Sequence, residues 1–266
     1  MKTILITGAG GNVGRLLRPL LRERYSLKVT DIADFETNAG ETSIRGDLAD
    51  REFCDFAAHD VDGILHLAGL VGPGFSFEQT LDPNYRAVLN LLESCRVHGI
   101  KRFVFASSHH AVGMLPSDAN VHEEAPIVPD SFYGLSKAFG EAACAMYAHR
   151  FGIATMLLRI GNADPLVVDA RRERMWTSAR DLASLVEMGL DHPNVRCDIV
   201  YASSDCPAEM FNNRRARSLG YRPKDNARDN RAANFKGRDK LPPEQMAYVG
   251  GHFAVNELPK PWGGNQ

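Results

Sequence analysis

Tyr133 and Lys137, in the run Tyr133-Gly-Leu-Ser-Lys137, stand four residues apart. On a helix that spacing puts both side chains on one face. A phenol beside an ammonium is a proton-transfer pair. Free tyrosine ionises near ~10, too high for a base working near neutrality. An ammonium at ~4 Å in an effective dielectric of ~20 contributes up to ~4 kcal/mol. At ~1.4 kcal/mol per pKa unit, that brings the phenol down by about three units. Twenty-five residues upstream, Ser107-Ser108 ends an apolar run, and a Ser108 hydroxyl there holds a substrate oxygen as charge develops. His109 and His110 come next. Adjacent residues at a strand end are expected to point opposite ways, and no third ligand is placed, so no metal site is expected. Both are candidates for the substrate site, where one of them could contact a substrate hydroxyl. Arg171, Arg172 and Arg174 could bind a carboxylate, but from the residues alone a solvated basic loop is the favoured reading.

These groups need a frame, and the N-terminus supplies its first unit. Thr3 to Thr7 is apolar and β-branched, breaks at Gly8, and resumes after Gly14 with helical spacing at Leu16, Leu17, Leu20 and Leu21. Between them lie Gly8, Gly11, Asn12, Val13 and Gly14. Residues without a Cβ let backbone N–H groups approach a ligand closely, and a helix N-terminus aimed at a pyrophosphate is the usual reason for such a turn. Asp31 closes the next apolar run 23 residues after Gly8, where an acid that binds a ribose belongs, with Ile32 beside it. As a lone feature Asp31 also suits a turn. Asp34 follows, and the sequence places no Arg or Lys close by, so a 2′-phosphate is repelled and NAD is expected rather than NADP. A nicotinamide ring then adds positive charge near Tyr133, which takes a hydroxyl proton as hydride leaves the same carbon; Lys137 tunes Tyr133 and reaches the nicotinamide ribose.

The rest of the chain alternates. Strands are expected at Ser43–Arg45, Gly63–Leu67, Arg102–Ala106, Ala154–Arg159 and Asp198–Tyr201; helices at Arg51–Ala58, Tyr85–Val97, Ser131–Arg150 and Asp181–Leu190. Strands separated by helices imply right-handed crossovers and an α/β fold with a doubly wound parallel sheet. Ligands bind beyond the carboxyl ends of such strands, where Asn12, Asp31, Asp47, Gly69, Ser107, Ser108, His109, His110 and Asn162 fall. Residues 1–205 are expected to form the dinucleotide-binding domain with the catalytic groups. Residues 206–266 read as a small α-rich flap and tail, with Arg214, Arg215 and Arg217 on a solvated helix face and the prolines at 242–243 and 259–261 in extended chain. Residues 162–180 join the substrate site.

At 266 residues with a formal net charge of −2, the chain is long enough for a substantial core and gives no reason to expect nucleic acid or a membrane surface. Five scattered cysteines without a CxxC pair read as reduced thiols of a cytoplasmic protein. The first apolar run is too short for a signal peptide, and none approaches a membrane span.

Taken together, Gly8-x-x-Gly11-x-x-Gly14, Asp47-Leu48, Ala68-Gly69, Asn84, Ser107-Ser108 and Tyr133-x-x-x-Lys137 resemble the extended short-chain dehydrogenase/reductase (NAD-dependent epimerase/dehydratase) family. The resemblance implies a Rossmann fold, NAD(P), and a Ser108–Tyr133–Lys137 triad. It further implies that Asp47 and Leu48 flank the adenine and that Leu67, Ala68 and Gly69 line the cofactor. Asn84 sits near Lys137 on this reading; from its position alone it equally suits a helix cap. Within the family the chain most resembles bacterial uronate dehydrogenases, through Phe105 to Pro116, Tyr133 to Glu141, Arg159-Ile-Gly161, Asp169 to Trp176, Leu219 to Asp225 and Gly250-Gly-His-Phe253. That implies oxidation of C1 of galacturonate or glucuronate to an aldarolactone, with Arg171 on the substrate carboxylate. The chain departs from those enzymes at His109, where they usually have Asn, at Asn162, where they have Ser, and in the loop Gly69–Gln79. The departures bear on which sugar acid is taken. A homo-oligomer through the helices near Tyr85 and Ser131 is compatible with the family.

Two other functions remain open. A sugar-nucleotide epimerase or dehydratase needs room for a nucleotide diphosphate, and only about 65 residues follow the last strand; a dehydratase further wants carboxylates near Ser108. A dinucleotide sensor without turnover tends to lose the tyrosine or the lysine, and both are present.

Overall fold

The structure, a computed structural model, describes residues 1–262; the last four residues of the expected 206–266 region lie outside the described residues. The chain opens with β1 (Thr3–Thr7), α1 (Asn12–Leu21), β2 (Ser26–Asp31), β3 (Thr42–Arg45), α2 (Arg51–Ala58) and β4 (Gly63–His66). It continues through α3 (Phe77–Thr80), a π-helical turn (Leu81–Arg86), α4 (Ala87–His98) and β5 (Arg102–Ser108). A 3₁₀ turn (His109–Val112), β6 (Val121–His122), α5 (Phe132–Phe151) and β7 (Ala154–Ile160) follow. The last third holds β8 (Val167–Asp169), α6 (Ala179–Asp191), β9 (Cys197–Ala202), β10 (Phe211–Asn212), α7 (Arg214–Ser218), β11 (Arg231–Lys236), α8 (Pro243–Ala247) and α9 (His252–Val255).

Seven strands pair in parallel in the order β3-β2-β1-β4-β5-β7-β9. The chain runs outward from β1 through β2 to β3, then returns to β4 and runs the other way. The crevice where a doubly wound sheet binds its ligand therefore opens between the ends of β1 and β4. Strand alternation divides the core. Ile4 and Ile6 pack with Leu17, Leu21, Leu182 and Leu185 on the face covered by α1 and α6. Leu5, Ile64, Phe103 and Phe105 pack with Ala57, Leu91, Leu92 and Cys144 under α2, α4 and α5. Burial of a Leu, Ile or Phe side chain is worth about 1.5–3 kcal/mol, so both faces drive the fold. No helix among the described residues is long and apolar enough to cross a membrane, and the five cysteines are free thiols.

The expected helix from Tyr85 starts earlier, at Leu81, as a π-helical turn containing Pro83. Proline has no N–H for the α-helical ladder, and the wider turn re-aims Asn84. The region after Cys206 is less helical than expected. β10 pairs with β6, and β11 with β8. Pro243 begins α8 rather than lying in extended chain, because its fixed φ and missing N–H suit a first helical turn. Ala216, Leu219 and Tyr221 join the α1/α6 side of the core. Residues 246–250 dock on the loop after β5: Ser117 Oγ donates to the Met246 carbonyl at 2.5 Å, and Gly250 N to the Gly113 carbonyl at 2.8 Å.

Candidate active site

A cavity of about 700 Å³ runs across the carboxyl ends of β1, β4, β5 and β7. At its first end Gly8 turns the chain with φ +66°, a region costly for residues with a Cβ. A Cβ at Gly8 would lie 2.6 Å from Ala68 N, and one at Gly14 2.6 Å from the Gly8 carbonyl oxygen, so β1, β4 and α1 approach as only glycine permits. Gly11 caps α1 with no side chain. The N–H groups of the first turn are left for a ligand, and an anion is what they favour. Asp31 Oδ2 accepts from Gly10 N at 3.0 Å and Oδ1 from Ala33 N at 3.2 Å, so the acid both shapes the turn and faces the cavity.

The sequence expectation of no base beside Asp34 is corrected. Arg45, brought alongside by β3, pairs with Asp34 at 2.8 Å and donates to the Ile32 carbonyl at 3.0 Å. Strand pairing across eleven residues made it invisible in the local sequence. Its charge is met by Asp34, and a 2′-phosphate would have to displace that carboxylate.

At the other end β5 delivers Ser107 and Ser108 to opposite sides. Ser107 Oγ turns inward to Glu141 Oε1 at 2.5 Å. Ser108 lines the cavity beside Tyr133 and pulls its phenol downward. α5 is capped by Ser131, whose Oγ accepts from Gly134 N at 3.0 Å, and its first two turns carry Tyr133 and Lys137. Lys137 Nζ lies 5.6 Å from the Tyr133 ring centre and 5.0 Å from that of Phe105. It is buried and lines the cavity, and no carboxylate is in ion-pair contact with it among the described residues. Burial pushes Lys137 down to about 8, so it remains mostly charged at neutral pH. The expected depression of Tyr133 is not present without a ligand. Burial lifts the phenol to about 12, against a downward pull from the Ser108 hydrogen bond, because the site withdraws water from the phenolate. His66, behind them, bonds Thr7 Oγ1 at 2.8 Å, and burial, then the Lys137 charge, holds its pKa down to about 3.

The histidines do not point opposite ways. The strand ends at Ser108, and the 3₁₀ turn brings the two rings together, tilted, with centres 4.0 Å apart. His109 Nδ1 lies 3.0 Å from the Ile160 carbonyl. A carbonyl only accepts, so Nδ1 carries the proton and Nε2 is a lone pair; that Nε2 is buried and has no partner. Asn162 likewise donates Nδ2 to Asp164 at 2.8 Å and leaves Oδ1 buried without a partner. Both side chains line the cavity and offer acceptors to hydroxyl donors. No cluster of three metal-ligating side chains occurs among the described residues.

Of the residues singled out from sequence, Gly8, Gly11, Asn12, Val13, Gly14, Asp31, Ile32, Asp47, Leu48, Leu67, Ala68, Gly69, Ser108, His109, His110, Tyr133, Lys137 and Asn162 line this one cavity. Asn84 and Arg171 do not. Asn84 is no helix cap: Oδ1 accepts from Leu70 N at 2.7 Å, and Nδ2 donates to the Leu70 carbonyl and to Ser136 Oγ at 3.0 and 2.8 Å. It pins the chain that follows Gly69. Arg171 donates to the Val249 carbonyl, leaves Nε buried without a partner, and has no carboxylate within ion-pair distance. Burial, then Arg172, holds it down to about 10, and its charge reaches His109 and His110. Arg172 is taken up by Asp169, and Arg174 by the Ala208 and Ser117 carbonyls. Sequence reasoning gave no role to Asp130, Phe253 or the Glu141–Arg159 pair. Glu141 had one signal: an acid four residues after Lys137, on the same buried stripe.

A glycine-lined helix N-terminus, an acid at the end of β2 and an uncompensated ammonium open to the same cavity fit a dinucleotide, with a tyrosine and a serine at its far end. The fold and site are those of a nucleotide-dependent α/β oxidoreductase. The chain belongs to the NAD dependent epimerase/dehydratase family, whose model matches residues 4–164. It is 40% identical over 256 residues to a uronate dehydrogenase of Pseudomonas putida, covering 95% of each chain. It is 37% identical over 259 residues to that of Pseudomonas syringae pv. tomato, covering 95% of this chain and 93% of the other. Its structure matches a variant uronate dehydrogenase from Agrobacterium tumefaciens solved with NAD, at a TM-score of 0.90, 34% identity, and coverage of 98% and 99%.

Proposed function

We propose that this protein is an NAD-dependent dehydrogenase that oxidises C1 of a free hexuronic acid, of the galacturonate or glucuronate type, to an aldarolactone. The observation that carries the reading is the convergence of Ser108, Tyr133 and Lys137 at one end of a cavity whose other end is the glycine cradle. NAD, when bound, supplies the hydride acceptor. Gly11, Asn12, Val13 and Gly14 offer backbone N–H groups to the pyrophosphate, Asp31 the ribose, and Asp47 and Leu48 the adenine side. Tyr133 takes the proton of the C1 hydroxyl while Ser108 Oγ holds the same oxygen. Lys137 supports the phenolate by its charge and reaches a ribose hydroxyl. His109 Nε2 and Asn162 Oδ1 accept from ring hydroxyls. The region after residue 205, with residues 162–180, closes the substrate end.

Arg171 is the anchor for the substrate carboxylate. A guanidinium lowered by burial and lacking a counterion gains an opposite charge and hydrogen bonds from a carboxylate. The testing experiment follows NADH formation at 340 nm with NAD or NADP against galacturonate, glucuronate and the matching neutral sugars. Turnover is expected with the uronates and NAD. Arg171→Gln is expected to raise KM for the uronate about tenfold or more, from loss of a charged hydrogen bond worth about 1.5–3 kcal/mol, with NAD affinity unchanged. Equal turnover of neutral sugars, or an unaltered KM in the variant, removes the anchor. No turnover of any uronate, with NAD bound, removes the reading.

A further inference from the structure

We propose that Asp130 is a positioning residue for the reaction: it holds the His110 imidazole in the tautomer that presents Nε2 as a hydrogen-bond acceptor to a substrate hydroxyl beside the reacting carbon. The inference deepens the dehydrogenase reading and rests on it for its kinetic part.

The Asp130 side chain is fully buried. Its Oδ2 lies 2.6 Å from His110 Nδ1, and Oδ1 accepts from Ser131 Oγ at 2.8 Å. Three segments far apart in sequence make room for it. A Cβ at Gly113 or Gly250 would overlap its carboxylate, and one at Gly134 would lie 3.0 Å from Oδ1. A carboxylate accommodated this closely and served by so few donors is costly as a merely structural group. What it does have is the imidazole. An ionised carboxylate only accepts, so Nδ1 carries the proton and Nε2 is left as a lone pair. No partner for Nε2 occurs among the described residues, and His110 lines the cavity. The ring is stacked 3.9 Å from Phe253 and has the tilted His109 ring 4.0 Å away. Its centre is 5.6 Å from that of the Tyr133 ring, which places it beside the reacting position.

The arrangement has a built-in reversal. Should Asp130 take up a proton, it becomes a donor to Nδ1, and the imidazole proton moves to Nε2, which then donates. The site would turn an acceptor into a donor toward the same hydroxyl. Burial lifts the Asp130 carboxyl to about 6, against opposing pulls from Ser131, His109, its own backbone N–H and Arg171. The other titratable groups around it lie elsewhere on the scale. His109 and His110 are held well below their ordinary value, chiefly by burial. His252, on α9, is also lowered, by burial and then by Arg171. Arg171 lies near 10 and Tyr133 near 12. Asp130 is therefore the group whose protonation falls near pH 6.

The test has a kinetic and a spectroscopic arm. Wild-type kcat/KM for the uronate is expected to fall as pH drops through about 6. Asp130→Asn is expected to lower kcat/KM about tenfold at pH 8 and to abolish that acid limb, with NAD affinity within twofold of wild type. In a His110→Gln background the limb is expected to be absent, and adding Asp130→Asn should change kcat/KM by less than twofold, because the carboxylate acts through the imidazole. A limb that persists in His110→Gln, or an Asp130→Asn effect of equal size in both backgrounds, overturns the proposal; the first remains decisive if Asp130→Asn does not fold. The second arm needs no substrate. Nitrogen-15 NMR of the His110 ring in the NAD-free protein should report the Nδ1–H tautomer at pH 8 and a change of tautomer near pH 6. An Nε2–H tautomer at pH 8 overturns the proposal whatever the protein oxidises, whereas the expected tautomer without uronate turnover rejects only the choice of substrate.

Discussion

Tyr133→Phe is expected to lower kcat for uronate oxidation by about 10²–10⁴-fold, the range general acid–base groups supply, while NAD affinity stays close to wild type. The phenyl ring keeps the packing of Tyr133 against His110 and Phe253, and only the hydroxyl beside Ser108 is lost. Burial holds the unliganded phenol up at about 12, so the phenolate must be stabilised when the site fills. Lys137 is the protein's own contribution to that. It follows that wild-type turnover in the oxidative direction should stop rising as pH passes about 8, where Lys137 loses the charge that supports the phenolate. Single-turnover NADH formation for the variant and wild type, with NAD binding by fluorescence, checks this. Turnover within threefold of wild type in the variant would remove Tyr133 as the base.

Arg159→Leu is expected to cost about 3–5 kcal/mol, the range for removing one member of a buried ion pair. For a chain of this length that corresponds to a fall of about 6–20 °C in Tm, at roughly 2–4 °C per kcal/mol. Arg159 and Glu141 are 1% and 3% exposed and meet through two hydrogen bonds of 2.8 Å. Arg159 also donates to Tyr201 Oη at 3.0 Å. Burial works against its charge, and the bonds to Glu141 more than offset that, so the guanidinium is held above its ordinary range. Without it, Glu141 keeps the Ser107 hydroxyl but no cation, and an uncompensated buried carboxylate results. Pairing Arg159→Leu with Glu141→Leu should recover much of the loss, since apolar replacement of both members is often neutral. Thermal unfolding of the three variants decides it; a single variant that melts within 2 °C of wild type would show that the pair does not hold β7 to α5.

The fold was legible because its signals are local. The β1–α1 unit announces itself within fourteen residues through a β-branched run, a glycine turn and helical spacing. Tyr133 and Lys137 were legible for the same reason, since four residues of helix fix their relation. What escaped depends on residues that only the sheet brings together. Arg45 meets Asp34 by strand pairing. Asp130 reads in sequence as a residue ahead of a helix cap, and the glycines that accommodate it stand at 113, 134 and 250. The cap reading of Asn84 stayed open beside the one near Lys137 because the π-helical turn that carries it leaves no periodic trace beyond a proline. The short strands β6, β8, β10 and β11 are two to six residues long and exist through their partners, so alternation had too little length in which to show.

Tyr133, Lys137 and Glu141 follow one another at four-residue intervals along α5, so the proposed base, the ammonium and the core ion pair share a single rod. A helix advances about 100° and 1.5 Å with each residue. One residue inserted between Tyr133 and Glu141 would therefore swing every group beyond it out of register at once, whereas the loop from Gly69 to Ser76 lies outside any such gearing. Variation in length among functional descendants of this chain should accumulate in that loop and be absent from the first three turns of α5.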